Sequence, residues 1–321
     1  MSGAAGWDAR LAELSSPARA PLLQSWAWGE VQARAGWRVE RLELDGGVAS
    51  VQFRGRQPFE RAYVPRGPVP AGRENLEQLQ RWARERGLAR LRVEPEATPE
   101  LAAVLRELGF RPAPQVQPQF TMIIGLEAGE EEVLASFNRG TRYNIRLALK
   151  RGVEVEEGSD PDELARQAAA SAARQGINLP VASYYRLLLD TLPWARTYVA
   201  RVQGEAVAAM LVIHHDRRGY YMFSGSNGRH RDLKPVYATK WAAIQAAIRE
   251  GCLDYDLWGV PPGPDRTHPW YGLWEFKSGF NGELVEYAGC WDLVLGELRH
   301  GVSEAGERAR RKLGKLLRRG D

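Results

Sequence analysis

The stretch RTYVARVQGEAVAAMLVIHH, Arg196 to His215, decides the fold. Two strand-like runs flank Gln203-Gly204-Glu205, where a glycine permits the tight turn of a hairpin. A third run, GYYMFSGSN (Gly219–Asn227), follows. After a loop, ATKWAAIQAAIREG (Ala238–Gly251) reads as a helix stopped by glycine, and CLDYDLWGV (Cys252–Val260) as one more strand. The same order occurs earlier in the chain. WRVERLELDGGVASVQFRG (Trp37–Gly55) gives the hairpin about Asp45-Gly46-Gly47, and FERAYVPRGPV (Phe59–Val69) gives the third strand. NLEQLQRWARERG (Asn75–Gly87) gives the helix and LARLRVE (Leu88–Glu94) the last strand. A spacing of roughly 160 residues is too long for a solenoid and right for a duplicated domain. Each unit continues into a Gly-Phe pair and a closing strand. LGFRPAPQVQPQFTMIIGL (Leu108–Leu126) is expected to close the first unit, and SGFNGELVEYAGCWDLVL (Ser278–Leu295) the second.

Composition sets outer bounds. A chain of 321 residues with 44% apolar and 26% charged content is that of a soluble globular protein with room for two cores. No apolar run approaches the roughly 18 residues of a membrane span. The N-terminus MSGAAGWDARLAEL lacks the layout of a signal peptide. The two cysteines, Cys252 and Cys290, fall in apparent strands and indicate neither a disulfide framework nor a zinc site. A cytoplasmic location follows, with the inner face of the plasma membrane as a place of contact. From Arg299 onward eight basic residues face Glu304, Glu307 and Asp321, a local excess of five. The formal charge of +4 therefore resides in this tail, and the rest of the chain stands near −1. A solvated terminal helix explains the tail; RNA or an anionic lipid surface would also match it.

Antiparallel hairpins leading into a strand–helix–strand crossover resemble the GNAT acyltransferase fold, here present twice. The expected class is α/β (α+β), each half a mixed, largely antiparallel sheet flanked by helices. The halves are expected at residues 1–126 and 127–297, with a basic helix opening the second and a basic tail over 298–321. AYVPRGPV (Ala62–Val69), NRGTRYNIRLALKRGVEVEEG (Asn138–Gly158), MFSGSN (Met222–Asn227), YDLWGV (Tyr255–Val260) and LWEFKSGF (Leu273–Phe280) resemble the FemABX family. These are the aminoacyl-tRNA-dependent peptidyltransferases that build peptidoglycan cross-bridges. The resemblance spans nearly the whole chain in motif order, and the absence of a coiled-coil arm after the basic helix places it with the compact members.

The resemblance implies ester aminolysis: a side-chain amine of the peptidoglycan stem attacks the carbonyl that joins an amino acid to tRNA. Such a reaction needs a neutral amine, a held carbonyl, and positive charge or donors at the developing oxyanion. By the family match, Lys277 supplies that charge and Phe276 packs behind it. Glu94 matches an acid facing the stem peptide, where a carboxylate can orient the amine or take its proton. Tyr184 and Tyr237 match residues that contact the precursor. Taken alone, Lys277 reads as a surface lysine and the aromatics as core, while Glu94 reads equally as an ordinary strand-end acid. Arg139, Arg142, Arg146 and Lys150 share one face of the basic helix and suit tRNA or pyrophosphate contact; the bland reading is a solvated face. The implied partners are aminoacyl-tRNA as cosubstrate and a UDP-linked or lipid-linked precursor, with no metal, no further cofactor, and a monomeric chain. Glu30 and Pro180 stand near where a compact relative carries phosphate-contacting cations, which favours the lipid-linked form. Gly, Ala and Ser all remain open as the transferred residue.

Two rival classes share these features. A GNAT fold alone predicts an acyl-CoA-dependent N-acetyltransferase, yet GSNGRHRDLKPVYATK (Gly225–Lys240) and VPRGPVPAGRE (Val64–Glu74) place prolines where amides should cradle a pyrophosphate. A non-catalytic RNA- or membrane-binding protein would use the tail alone. Asp254 and Asp256 alternate on one strand face, but without histidine partners they make a poor metal pair.

Overall fold

The computed structural model describes residues 3–175 and 179–296. The basic tail read above over 298–321 lies outside the described residues. The described chain forms two compact units.

The first unit holds a six-stranded sheet. Strands β1 (Arg38–Leu44), β2 (Gly47–Arg54) and β3 (Arg61–Pro65) run antiparallel in sequence. The helix Arg73–Glu85 then crosses to β4 (Arg90–Glu94), parallel to β3. A short β5 (Arg111–Pro112) completes this part of the chain. Val51, Phe53, Val64, Leu91 and Val93 of the sheet pack on Leu76, Leu79 and Ala83 of the crossover helix, which places a core under one sheet face.

The second unit repeats the plan in seven strands. β6 (Phe120–Gly125) and β7 (Glu154–Gly158) precede the quoted hairpin, which forms β8 (Ala195–Val202) and β9 (Glu205–His215). β10 (Arg218–Ser226) follows antiparallel, and the long helix Pro235–Arg249 crosses to β11 (Asp254–Gly259), parallel to β10. β12 (Glu283–Glu286) lies at the edge beside β6. Met210 and Val212 of β9 pack with Trp241 and Ile244 of the long helix. Their neighbours Leu211 and Ile213 face the opposite side, along which the helix Pro161–Gln175 runs. Both faces of β9 are covered, so its sequence is a nearly unbroken apolar run. Gly87 and Gly251, at φ of 68° and 78°, end the two equivalent helices in the left-handed conformation that glycine adopts without strain.

One expectation differs from this division. Leu108–Leu126 and Ser278–Leu295 do not each close their own unit. β6 joins β11 in the second sheet, and β13 (Trp291–Val294) returns to the first, between β4 and β5. The chain thus exchanges one closing strand between the halves: the second unit takes in the chain from Phe120 rather than from 127, and β13 goes with the first unit. A strand presents the same backbone donors and acceptors to either sheet edge, so alternation alone does not name its partner. Cys252 and Cys290 are buried free thiols just ahead of β11 and β13 rather than within them.

Candidate active site

β10 and β11 pair only over Arg218–Tyr220 and Asp254–Asp256. Beyond that point both strands become irregular. β10 shifts register against β9 between Tyr221 and Phe223, and β11 against β6 between Asp256 and Gly259. Trp258, inside the second irregularity, has φ of 60°, a conformation that costs a bulky residue about 1 to 3 kcal/mol and that the surroundings must hold. Parallel strands that stop pairing leave backbone carbonyls in need of donors. Lys277 answers two of them: its Nζ donates to the Gly259 oxygen at 2.8 Å and to the Trp258 oxygen at 3.4 Å.

Lys277 sits in the last turn of the short helix Tyr271–Ser278, and its side chain is buried. The end of this helix rests on the start of the basic helix Arg139–Lys150. Asn138 caps the basic helix by accepting from the Thr141 amide at 2.7 Å, and the Asn138 amide donates to the Gly279 oxygen at 3.0 Å. A Cβ on Gly279 would collide with the Thr141 hydroxyl, so only glycine permits the approach. The motifs NRGT and KSGF therefore meet in space. Aromatic rings seal the junction: Tyr237 lies 5.1 Å from Phe276, Phe280 lies 5.3 Å from Phe276, and Phe137 lies 5.1 Å from Phe280.

Burial pulls the Lys277 ammonium down to about 7, against the opposing pull of the Asp256 charge. Asp256 is itself buried and accepts from the Thr121 hydroxyl and, at 2.7 Å, from the Trp258 amide. A second buried lysine, Lys240, projects from the long helix, and its Nζ lies over the Tyr221 ring. Burial first, and the Lys277 charge second, hold Lys240 well below the ordinary lysine range. Burial also raises the Tyr237 hydroxyl.

The other sequence-derived residues stand on other elements. Tyr184, on the helix Ala182–Thr191, packs edge-on against Phe223 of β10. Glu94 belongs to the first unit, at the end of β4. It is buried and accepts from the Tyr63 hydroxyl, the Val116 amide at 2.7 Å and the Gln117 amide at 3.1 Å. Those bonds tie the loop after β5 to the sheet, and the carboxylate is occupied by them. Arg139, Arg146 and Lys150 are exposed along the basic helix, with Tyr143 and Leu149 beside them. Arg142 instead turns back to donate to the Ala135 and Phe137 carbonyls. Glu30 pairs with Arg41 at 2.8 Å. No helix among the described residues is long and apolar enough to cross a membrane, and none of their acidic, histidine or cysteine side chains cluster as metal ligands.

A family model described as the FemAB family matches residues 100–202 and 195–308, more than half of the sequence and all of the sheet fork. The chain belongs to the FemAB family. Among FemAB-like relatives, the lipid II:glycine glycyltransferase of Staphylococcus saprophyticus is 24% identical, over 85% of this chain and 88% of the relative. The crystal structure of FemX superposes with a TM-score of 0.81 at 22% identity, covering 94% of this chain and 98% of that one. A tandem GNAT protein from the clavulanic acid biosynthesis pathway superposes with a TM-score of 0.55 at 13% identity, over 91% and 96% of the two chains. Both likenesses show the fold: two GNAT-like halves in tandem, as the repeat implied.

Within this FemAB chain, sequence reasoning missed Thr121, Lys240 and the role of Asp256. Asp254 pairs with Arg218 and Arg19, whereas Asp256 points to the fork, so the two are not a pair in function. One signal was available for Lys240. Only six of the 44 basic side chains are lysine, and among the described residues two of them, Lys240 and Lys277, are buried together. Lysine sheds its proton when desolvated and arginine does not, so a rare lysine in an arginine-rich chain marks a site where charge is adjustable.

Proposed function

We propose that the chain is an aminoacyltransferase that moves an amino acid from aminoacyl-tRNA to the side-chain amine of the diamino residue in a peptidoglycan precursor. The observation that carries this reading is the Lys277 amine, buried in the fork and held by two backbone carbonyls. An ammonium has three N–H donors, so a third is left for an incoming acceptor. The attacking amine forms a C–N bond to the ester carbonyl carbon, and the carbonyl oxygen takes up negative charge. As that charge returns, the C–O bond to the ribose breaks, and the proton shed by nitrogen ends on the ribose oxygen. No covalent enzyme intermediate is needed. Lys277 stabilises the oxyanion, and its low-dielectric surroundings strengthen that contact. Phe276 and Tyr237 wall the site against water.

The relatives' activity as lipid II:glycine glycyltransferases supports a lipid-linked acceptor and glycine as the first choice of donor. Glu30, which by the resemblance stands near a phosphate-contacting cation of a compact relative, is here engaged with Arg41, and this too favours a lipid-linked acceptor. Arg139, Arg146 and Lys150 lie exposed along the basic helix and offer the tRNA backbone a cationic surface. For the acyl-CoA alternative, Pro235 at the first position of the long helix removes an amide where a pyrophosphate would sit.

The test incubates purified protein with tRNAs charged with Gly, Ala or Ser and with lipid-linked or UDP-linked precursor, then weighs the products. The expected product is the lipid-linked precursor heavier by one glycyl residue. Turnover of acetyl-CoA with none from charged tRNA would replace this reading with an acetyltransferase, and neither activity would leave a binding protein.

A further inference from the structure

Two lysine amines and one buried carboxylate share the interior of the second unit. Lys277 arrives from the short helix and Lys240 from the long helix, and the Nζ atoms of both lie over the Tyr221 ring. Lys240 is 0% exposed and finds no hydrogen-bond acceptor among the described residues. Among the described residues the other titratable groups packed against them are phenols, with Glu275 reaching one of these. Tyr221 bonds to Ser224, Tyr255 of β11 has its ring 5.7 Å from the Lys240 Nζ, and Tyr237 lies one turn before Lys240. Burial raises all three hydroxyls, so they stay neutral. Glu275 acts on Tyr237 from the exposed side of the short helix. Asp256 is the buried acid of the group.

One carboxylate can balance one ammonium. A second ammonium in the same interior would be unpaired, and its desolvation penalty exceeds what the face of a tyrosine ring returns. Which lysine keeps the proton depends on where the carboxylate is. Asp256 acts on Lys277, and Lys277 in turn acts on Lys240. Asp256 also sets the backbone around Lys277. Its Oδ1 accepts both from the Thr121 hydroxyl and from the Trp258 amide, and so holds the irregular turn whose next two carbonyls receive Lys277.

We propose that Asp256 is a positioning residue for the transfer: it assigns the ammonium to Lys277, leaves Lys240 as a neutral amine, and aims the carbonyls that hold Lys277 in the fork. This deepens the aminoacyltransferase reading and rests on it for its catalytic meaning, but the proton assignment can be measured without any substrate.

The experiment uses the full chain carrying lysine labelled at Cε and Nζ, and follows the lysine signals by NMR from about pH 5 to about pH 10. The expected spectrum has one lysine titrating near 7; that signal is absent in Lys277→Met and persists in Lys240→Met. Loss in Lys240→Met with persistence in Lys277→Met would overturn the assignment. In Asp256→Asn the remaining Oδ1 keeps both hydrogen bonds and only the charge is lost. The Lys277 midpoint should then fall by roughly one pH unit or more, and the alkaline limb of kcat should fall with it. Thr121→Val disturbs the same bonds without removing charge, so it should lower thermal stability and leave that midpoint in place. Equal midpoints in wild type and Asp256→Asn, or equal movement in Thr121→Val, would reduce Asp256 to a structural part. Should Asp256→Asn not fold, the Lys240→Met and Lys277→Met spectra still decide which lysine carries the proton, and Asp256→Glu, which keeps the charge, should hold the Lys277 midpoint; a midpoint lost there would overturn the role of Asp256. A shifted midpoint in a protein that transfers nothing from any charged tRNA would sustain the proton assignment and sink the aminoacyltransferase reading.

Discussion

Replacing Lys277 with methionine should cut turnover by about a hundredfold to a thousandfold while making the protein more stable. Methionine fills nearly the same space, so the comparison isolates the amine. Its folded value of about 7 against an ordinary 10.5 means that the folded state disfavours the charged form. At about 1.4 kcal/mol per pH unit, that burial costs at most roughly 4 to 5 kcal/mol at neutral pH. Methionine removes this penalty but withdraws the Lys277 hydrogen bonds, chiefly that to the Gly259 carbonyl, which costs about 1 to 3 kcal/mol. The balance favours the variant by about 2 kcal/mol, a rise in Tm of about 4 to 8 °C for a unit of this size. The pH dependence follows from the sign of the displacement. Between 7 and 10.5 the unfolded chain carries a proton on Lys277 that the folded chain lacks, so wild-type stability rises with pH across that window. The variant loses this contribution, and its advantage should shrink steadily from neutral to alkaline pH. Removal of an oxyanion donor lowers kcat by about a hundredfold to a thousandfold. Thermal unfolding followed by circular dichroism at neutral and alkaline pH, with product mass for turnover, tests both halves. A variant less stable than wild type at neutral pH, or one that retains wild-type turnover, would refute the reasoning.

Three further outcomes are expected. Reversing Arg146 and Lys150 to Glu should raise KM for charged tRNA at least about tenfold and flatten its salt dependence; unchanged kinetics would remove the basic helix from the RNA path. Gly225→Ala should destabilise by about 3 kcal/mol in urea unfolding, because the added Cβ meets the backbone of Gln167 and Ala168, which cannot rotate away. Glu94→Gln should lower stability by about 1 to 3 kcal/mol through its bonds to Tyr63, Val116 and Gln117. In that variant kcat should fall less than about tenfold, whereas loss of a general base would take about a hundredfold or more.

Much of the site was legible only through local motifs. Lys277 is picked out by the FemABX resemblance that FKSGF carries, since alone it reads as a surface lysine; the structure gives the reason for the motif's glycine, the contact with Thr141. The cationic stripe Arg139, Arg142, Arg146 and Lys150 was read correctly as one helix. Arg142, however, spends its donors on the Ala135 and Phe137 carbonyls, a use that spacing does not reveal.

By itself the sequence determined the order of the elements and their repetition, because hairpin turns, glycine helix stops and apolar runs are local instructions. It did not determine that β6 and β13 trade places, since every strand edge offers the same ladder of donors and acceptors to any partner of suitable length. Nor did it bring Lys240, Lys277 and Asp256 together from a long helix, a short helix and an irregular strand. The proton on an amine depends on how much water and which charges surround it, and both are fixed only when distant segments close over the same interior.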